Sequence, residues 1–125
     1  MTAAELFNLK GRVALVTGAS SGLGVRFAEV LAREGAPVAL VARRTDRLAA
    51  VKARIEHAGG RAIAIGADVL DRKAMTRAFD EAEKVFGTVT ILVNNAGVSR
   101  PARLVDMSLE EWRAVLDTNL DAVLF

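Results

Sequence analysis

The 125-residue chain contains no cysteine and a single histidine, His57. Without cysteine, neither a disulfide framework nor a thiolate zinc site can form. One histidine likewise excludes a metal site built from several imidazoles, so we expect no bound metal. His57 lies near the end of a predicted helix, where a basic side chain complements the helix dipole.

Long apolar runs are also missing. No uninterrupted apolar segment approaches the length needed to span a bilayer, and residues 1–7 lack the basic start and long apolar stretch of a signal peptide. We therefore expect a cytoplasmic protein with no membrane partner. The composition, 52% hydrophobic and 26% charged, indicates one compact domain rather than a disordered segment.

The charge is small overall but unevenly distributed. The net charge is +2, yet residues 1–61 hold ten Lys and Arg against five Asp and Glu, and residues 62–125 hold seven against ten. An anionic ligand is therefore expected to bind mainly through the first half of the chain.

Short aliphatic runs alternate with longer helical patterns, which is typical of repeated β-α-β units and a parallel sheet. The predicted strands are residues 13–16, 38–41, 62–65 and 89–93. The predicted helices are residues 23–34, 46–58 and 72–86, each followed by a glycine that can adopt the left-handed conformation. A fourth helix is expected to begin after Ser108, which forms a capping box with Glu111, and to continue through Leu120.

A glycine-rich turn follows the first predicted strand and precedes the first predicted long helix. Gly18 permits the tight turn, Gly22 lets backbone N–H groups approach a diphosphate, and Gly24 allows the helix to pack closely on the sheet. A turn without a ligand would also use glycines. The strand, turn and helix context nevertheless favours a dinucleotide site, and with it a doubly wound Rossmann-type sheet.

The end of the second strand reads Ala42-Arg43-Arg44. Dinucleotide sites that prefer NAD(H) usually place an Asp or Glu here to bind the adenosine ribose. Two guanidinium groups instead favour a 2′-phosphate, so the sequence predicts NADP(H) over NAD(H). Arg43 is the stronger candidate, because Arg44 could simply be a solvated residue at the start of the next helix.

Four motifs, in order along nearly the whole chain, resemble the N-terminal half of the short-chain dehydrogenase/reductase family. They are residues 17–24, Asp68-Val69, residues 94–97 and Asn119 within residues 117–120. The resemblance implies strand order 3-2-1-4 for the part present and an incomplete second half of the fold. Residues 1–125 would then be the N-terminal portion of an NAD(P)-binding domain.

The resemblance also implies roles for individual residues. Contacts to the cofactor are expected from Gly18, Ser20, Ser21, Gly22, Leu23, Gly24, Arg43, Arg44, Asp68, Val69, Asn95, Ala96 and Gly97. Asp68 and Val69 would border the adenine, and residues 95–97 would lie against the adenosine ribose. Asn119 would be the helix asparagine that helps to hold the catalytic lysine through water. As alternatives, Asp68 could cap a strand end and residues 94–97 could form an ordinary turn.

The family transfers a hydride between nicotinamide and an alcohol or carbonyl carbon, using Ser, Tyr and Lys for positioning and proton transfer. The helix asparagine is the fourth catalytic position of the family. This chain contains no tyrosine, and of the four positions only the asparagine, Asn119, is present. Ser99 follows the Asn-Asn-Ala-Gly turn and is not the catalytic serine. The chain alone is therefore expected to be inactive, and its substrate cannot be specified beyond a small alcohol or carbonyl compound.

Two other functions are compatible with these residues. The chain could be a truncated, non-catalytic module that binds a nucleotide or associates with itself, because an open fourth strand and the last helix would expose apolar surface. Homo-oligomers are expected for the same reason. A nucleic-acid surface could instead involve Arg43, Arg44, Arg47, Lys52 and Arg54. No aromatic residues are interleaved with these basic side chains, so we expect no nucleic-acid partner.

Overall fold

A computed structural model describes residues 1–125. Four parallel strands form a single sheet in the order β3-β2-β1-β4, as predicted. The strands are β1 (Ala14–Thr17), β2 (Val38–Ala42), β3 (Ala62–Gly66) and β4 (Ile91–Val93). Their register aligns Ala14 with Val38 and with Ile91, so β1 is central and β4 forms one edge.

Six α-helices connect or flank these strands. They are α1 (Ala3–Leu6), α2 (Gly22–Arg33), α3 (Thr45–His57), α4 (Arg72–Phe86), α5 (Leu109–Leu116) and α6 (Ala122–Leu124). The three long helices end next to glycines with positive φ, at Gly35, Gly59 and Gly87, as predicted. Helix α1 was not predicted; it is a single turn with no buried residue, and a Thr2–Glu5 capping box caps its amino end. No helix is long and apolar enough to cross a membrane.

The sheet is covered by helices on both faces. Alternate strand residues pack in two separate clusters, one against α2 and α3 and the other against α4. Every residue of β1 and β2 is buried, which explains why these strands read as continuous rather than alternating apolar runs. Because helices cover both faces of the sheet, the carboxyl ends of the strands remain open. Side chains from several loops can lie close together there.

The last predicted helix is interrupted. The Ser108–Glu111 capping box is confirmed and α5 begins at Leu109, but the α-helix stops at Leu116 and a wider π-helical turn covers Asp117–Asp121. The chain is therefore helical through Leu120 as predicted, but with a wide turn that the sequence did not indicate. Apolar periodicity cannot distinguish an α-helix from one that contains a single wide turn, and such turns are often found at functional sites.

Apolar side chains are exposed at the β4 edge and along the last helices, as predicted. Leu92 is 47% exposed, Trp112 48%, Leu120 63% and Phe125 60%. Trp112 is thus only partly packed. These side chains lie outside the helix-covered core formed around β1 and β2.

Candidate functional site

A cleft of about 390 Å³ opens at the carboxyl ends of the strands. It brings together predicted cofactor residues that follow the ends of all four strands, including the start of α2: Gly18, Ser20, Ser21, Leu23, Arg43, Arg44, Asp68, Val69, Asn95, Ala96 and Gly97. Gly22 and Gly24 do not line it. Leu70, Val98 and Thr118 also line the cleft. Sequence reasoning missed them because their residue types do not mark them as site residues, and each is distinguished only by lying beside a motif residue.

The glycine-rich turn leaves room for a ligand close to the backbone. Gly18 has φ +63° and Gly22 has φ +57°, a region that favours glycine. A Cβ added at Gly22 would meet no atom within 4 Å, so the space above this residue is open. The first N–H groups of α2 begin here and have no partners within the helix. A diphosphate therefore fits the first turn of α2, as the sequence predicts for an anion.

Gly24 holds α2 against the sheet. A Cβ at this position would clash with the carbonyl oxygen of Gly18 and would lie 2.6 Å from Asn95 Nδ2. No larger side chain fits without moving backbone. This contact agrees with the predicted role of Gly24 in close packing of the helix on the sheet, and it explains why Gly24 does not itself line the cleft.

A hydrogen-bond network ties the end of β1 to the turn after β4. Asn95 Nδ2 donates to the carbonyl oxygens of Thr17, at 3.1 Å, and Gly18, at 3.2 Å. Thr17 Oγ1 accepts from the backbone N–H groups of Asn95, at 3.1 Å, and Ala96, at 3.0 Å, and donates to the carbonyl oxygen of Val93, at 3.4 Å. Asn95 therefore holds together the two turns that line the cleft.

Thr17 is the one buried polar residue of the chain, with 3% of its surface exposed. Sequence reasoning did not select it as a site residue. The sequence does contain a signal for it, a hydroxyl side chain at the end of an otherwise apolar strand. Such a hydroxyl is expected to be buried, and a buried hydroxyl needs hydrogen-bond partners. Thr17 does not line the cleft, and its contribution is to fix the positions of Asn95 and Ala96.

Two exposed arginines stand where β2 leads into α3. Arg44 reaches across the strand ends and its Nη2 donates to Ser20 Oγ at 3.4 Å. Arg43 lines the same cleft, and neither guanidinium pairs with a carboxylate within 4.0 Å. Neither arginine is therefore occupied by an ion pair, and Arg44 has a hydrogen bond to the glycine-rich turn.

Asp68 lies in a turn and also lines the cleft. Its Oδ1 accepts a hydrogen bond from the backbone N–H of Leu70 at 3.0 Å, which forms a local turn of the kind that aspartate favours. Asp68 and Val69 both line the cleft. The turn contact of Asp68 is compatible with its place in the cleft lining.

Asn119 is joined to the turn after β4 rather than to the cleft. Its Oδ1 accepts from the backbone N–H of Val98 at 2.8 Å, and its Nδ2 donates to the carbonyl oxygen of Val98 at 2.9 Å. A Cβ at Gly97 would lie 3.1 Å from Asn119 Oδ1. The amide therefore has the partner that a mid-helix asparagine requires, within the π-helical turn.

The start of α5 is stabilised by a charged cap. The pKa of Glu111 is lowered from its ordinary value, mainly because its carboxylate accepts a hydrogen bond from the Ser108 backbone N–H, and also from the Ser108 hydroxyl. The ionised form of Glu111 is the one that caps the helix. This cap fixes where α5 begins and so supports the segment that carries Asn119.

Known proteins share both the sequence and the fold. The family model described as short chain dehydrogenase matches residues 12–125. A gluconate 5-dehydrogenase from Gluconobacter oxydans is 39% identical over all of this chain and 49% of its own length. The crystal structure of a short-chain type dehydrogenase/reductase from Mycobacterium marinum has a TM-score of 0.94 at 38% identity, covering 99% of this chain and 50% of that one.

A third similar protein was solved with a cofactor. The crystal structure of a short chain dehydrogenase from Burkholderia cenocepacia in complex with NADP has a TM-score of 0.86 at 45% identity, over 94% of this chain and 48% of that chain. The chain thus spans about half the length of the relatives it matches. Over that half, both the sequence and the fold agree, and the chain belongs to the short-chain dehydrogenase family.

Proposed function

We propose that residues 1–125 form the N-terminal, cofactor-binding portion of an NADP(H)-dependent oxidoreductase. The observation that carries the proposal is the cleft at the strand ends, which residues of the glycine-rich turn line together with Arg43 and Arg44. When bound, the cofactor supplies hydride chemistry at its nicotinamide ring, with a small alcohol or carbonyl compound as substrate. Within this cleft, the chain's own residues bind and orient the dinucleotide.

The preference for NADP(H) rests on the charges around Ser20. Arg43 and Arg44 provide two guanidinium groups without carboxylate partners, and the Ser20 hydroxyl lies within hydrogen-bond distance of Arg44. No carboxylate follows β2 to accept a ribose 2′-hydroxyl, since the strand leads directly into these arginines. Guanidinium forks match the geometry of a phosphate. The similar Burkholderia protein binds NADP, which is consistent with this assignment.

The remaining contacts of the proposal come from the resemblance to the family. The diphosphate would lie at the start of α2, the adenine would border Asp68 and Val69, and the adenosine ribose would lie against residues 95–97, all but the α2 contact at positions that line the cleft. Asn119 acts as a positioning residue, because its amide fixes the backbone at Val98, which lines the cleft. Proton transfer in this family uses a tyrosine, and the chain contains none, so we expect cofactor binding without turnover from residues 1–125 alone.

Cofactor titrations test the proposal. NADPH and NADH are titrated against the protein and against the variants Arg43→Ala and Arg44→Ala, with Arg47→Ala as the matched control, since Arg47 is exposed on α3 but does not line the cleft. Loss of one charge-assisted contact is expected to weaken NADPH binding about tenfold or more and to leave NADH binding nearly unchanged. Equal losses for both cofactors would refute the phosphate assignment.

A second candidate function, self-association, is favoured by the exposed apolar side chains of β4, α5 and α6. A contiguous apolar patch on a monomer commonly marks an interface. Sedimentation of the protein across a range of concentrations distinguishes the two cases. Association that weakens when Trp112 is changed to Ser supports an interface at this face, and a monomer at all concentrations would eliminate it.

A further inference from the structure

A second, larger cavity lies between α2 and α3, outside the cofactor cleft. This α2–α3 groove has a volume of about 680 Å³ and shares no lining residue with the cleft at the strand ends. It lies toward the carboxyl ends of both helices, whereas the cleft lies at their amino ends. A ligand in the groove would therefore not compete with the dinucleotide.

Small residues form the apolar part of the groove. Ala32, Ala53, Ala58 and Gly60 contribute to its lining. A Cβ at Gly60 would lie 2.9 Å from Ile55 Cγ2 and 3.2 Å from the Cβ of Ala32. Gly60 thus lets the loop after α3 pack directly on the helices. The result is a shallow apolar surface suited to a flat organic group.

Basic side chains surround this apolar surface. Arg26 and Arg33 come from α2, Arg54 and His57 come from α3, and Glu29 is the one acidic residue in the lining. Arg54 pairs with Glu29 at 2.5 Å. Arg33 pairs in the same way with the neighbouring Glu34 at 3.1 Å. Arg26 is therefore the arginine of the lining whose charge no carboxylate offsets.

The helix dipole explains only some of these charges. Arg33, Arg54 and His57 lie in the last turns of their helices, where cations are favoured. Arg26 lies in the first half of α2, where the dipole gives a cation no advantage, and it has no carboxylate within 4.0 Å. An exposed, unpaired arginine facing a cavity is a group that an anion would use.

We propose that the α2–α3 groove binds a small phosphate-bearing molecule with an apolar body. Its phosphate contacts the arginines, with Arg26 as the one free of other partners, and its body lies on the alanine and glycine surface. Guanidinium groups fit phosphate oxygens in paired geometry. This site is separate from the proposed cofactor cleft and does not depend on the cofactor assignment.

The single histidine provides a direct test. His57 lines the groove and is the only imidazole in the sequence, so its ring signals in an NMR spectrum report on this site. Phenyl phosphate is the probe, titrated at constant pH and ionic strength, and a His57→Gln variant assigns the signal. We expect a saturable shift of the His57 signal and about tenfold weaker phenyl phosphate binding in Arg26→Ala.

A matched control separates the site from general charge effects. Arg77 is exposed on α4, which packs on the other face of the sheet, and it also has no ion-pair partner. Arg77→Ala should bind phenyl phosphate like the unaltered protein, and NADPH binding should be the same in both variants. A His57 shift that does not saturate, or equal weakening in Arg26→Ala and Arg77→Ala, would overturn the proposal.

Discussion

Replacing Thr17 with valine removes one hydroxyl from the network that joins β1 to the turn after β4. Valine has nearly the same shape, so packing in the strand is kept. The backbone N–H groups of Asn95 and Ala96 lose the oxygen that both now contact, at 3.1 and 3.0 Å. Leaving a buried donor unpaired costs about 1–3 kcal/mol. Two donors are left unpaired, but both are only half-buried, so each costs less than the full penalty. We expect Thr17→Val to lower the free energy of unfolding by about 2–4 kcal/mol in total.

Urea unfolding followed by far-UV circular dichroism measures this change, and NADPH titration of the same variant measures its effect on the cleft. Thr17→Ser is the control, because it keeps the hydroxyl and removes one methyl group, at a cost of about 1 kcal/mol. Thr17→Val should also weaken NADPH binding, since Asn95 and Ala96 line the cleft. A Thr17→Val variant as stable as Thr17→Ser would refute the argument that the hydroxyl holds the two turns together.

Three further predictions concern α2 and the last helices. Gly24→Ala should prevent close packing of α2 and abolish NADPH binding in a fluorescence titration, because the added Cβ has no space. Asn119→Leu should raise hydrogen exchange at the Val98 amide, which now donates to Asn119 at 2.8 Å; an unchanged exchange rate would contradict this. The ionised carboxylate of Glu111 caps α5. The stabilisation from this cap is fully present when the pH is above 4.5, the ordinary pKa of the group, and it is lost as the pH falls through the lowered pKa of the folded state. Helical circular dichroism should therefore decrease at acid pH in the unaltered protein and show a smaller pH dependence in Ser108→Ala.

The sheet could be predicted from sequence because its strands obey a simple physical rule. The apolar runs of β1 and β2 are buried on both faces, so their burial and their composition coincide. The glycines after the long helices mark their ends for a similar local reason. The fourth strand is shorter than predicted, covering Ile91–Val93 rather than residues 89–93, because an apolar run does not show where pairing begins.

Individual residues of the cleft could be predicted only where a short sequence motif itself specifies a local arrangement of backbone or charge. The glycine-rich turn has such geometry, and so does the arginine pair after β2. The pairing of Arg44 with Ser20 joins residues 24 positions apart, and no local pattern reveals it. The same limit applies to Thr17, whose partners Asn95 and Ala96 are 78 and 79 positions away, and to the wide helical turn at Asn119.

The link between Thr17 and Asn95 also determines when the cleft can exist during synthesis. The glycine-rich turn is made early, but its partner strand β4 pairs with β1 only after more than 70 further residues have been added. Contacts so distant in sequence form late, because closing the intervening loop costs conformational entropy before any bond is gained. A growing chain therefore has no complete cleft until residues 95–97 have emerged from the ribosome. A ligand that binds the completed cleft, such as the proposed dinucleotide, would then stabilise the newly docked edge strand by mass action.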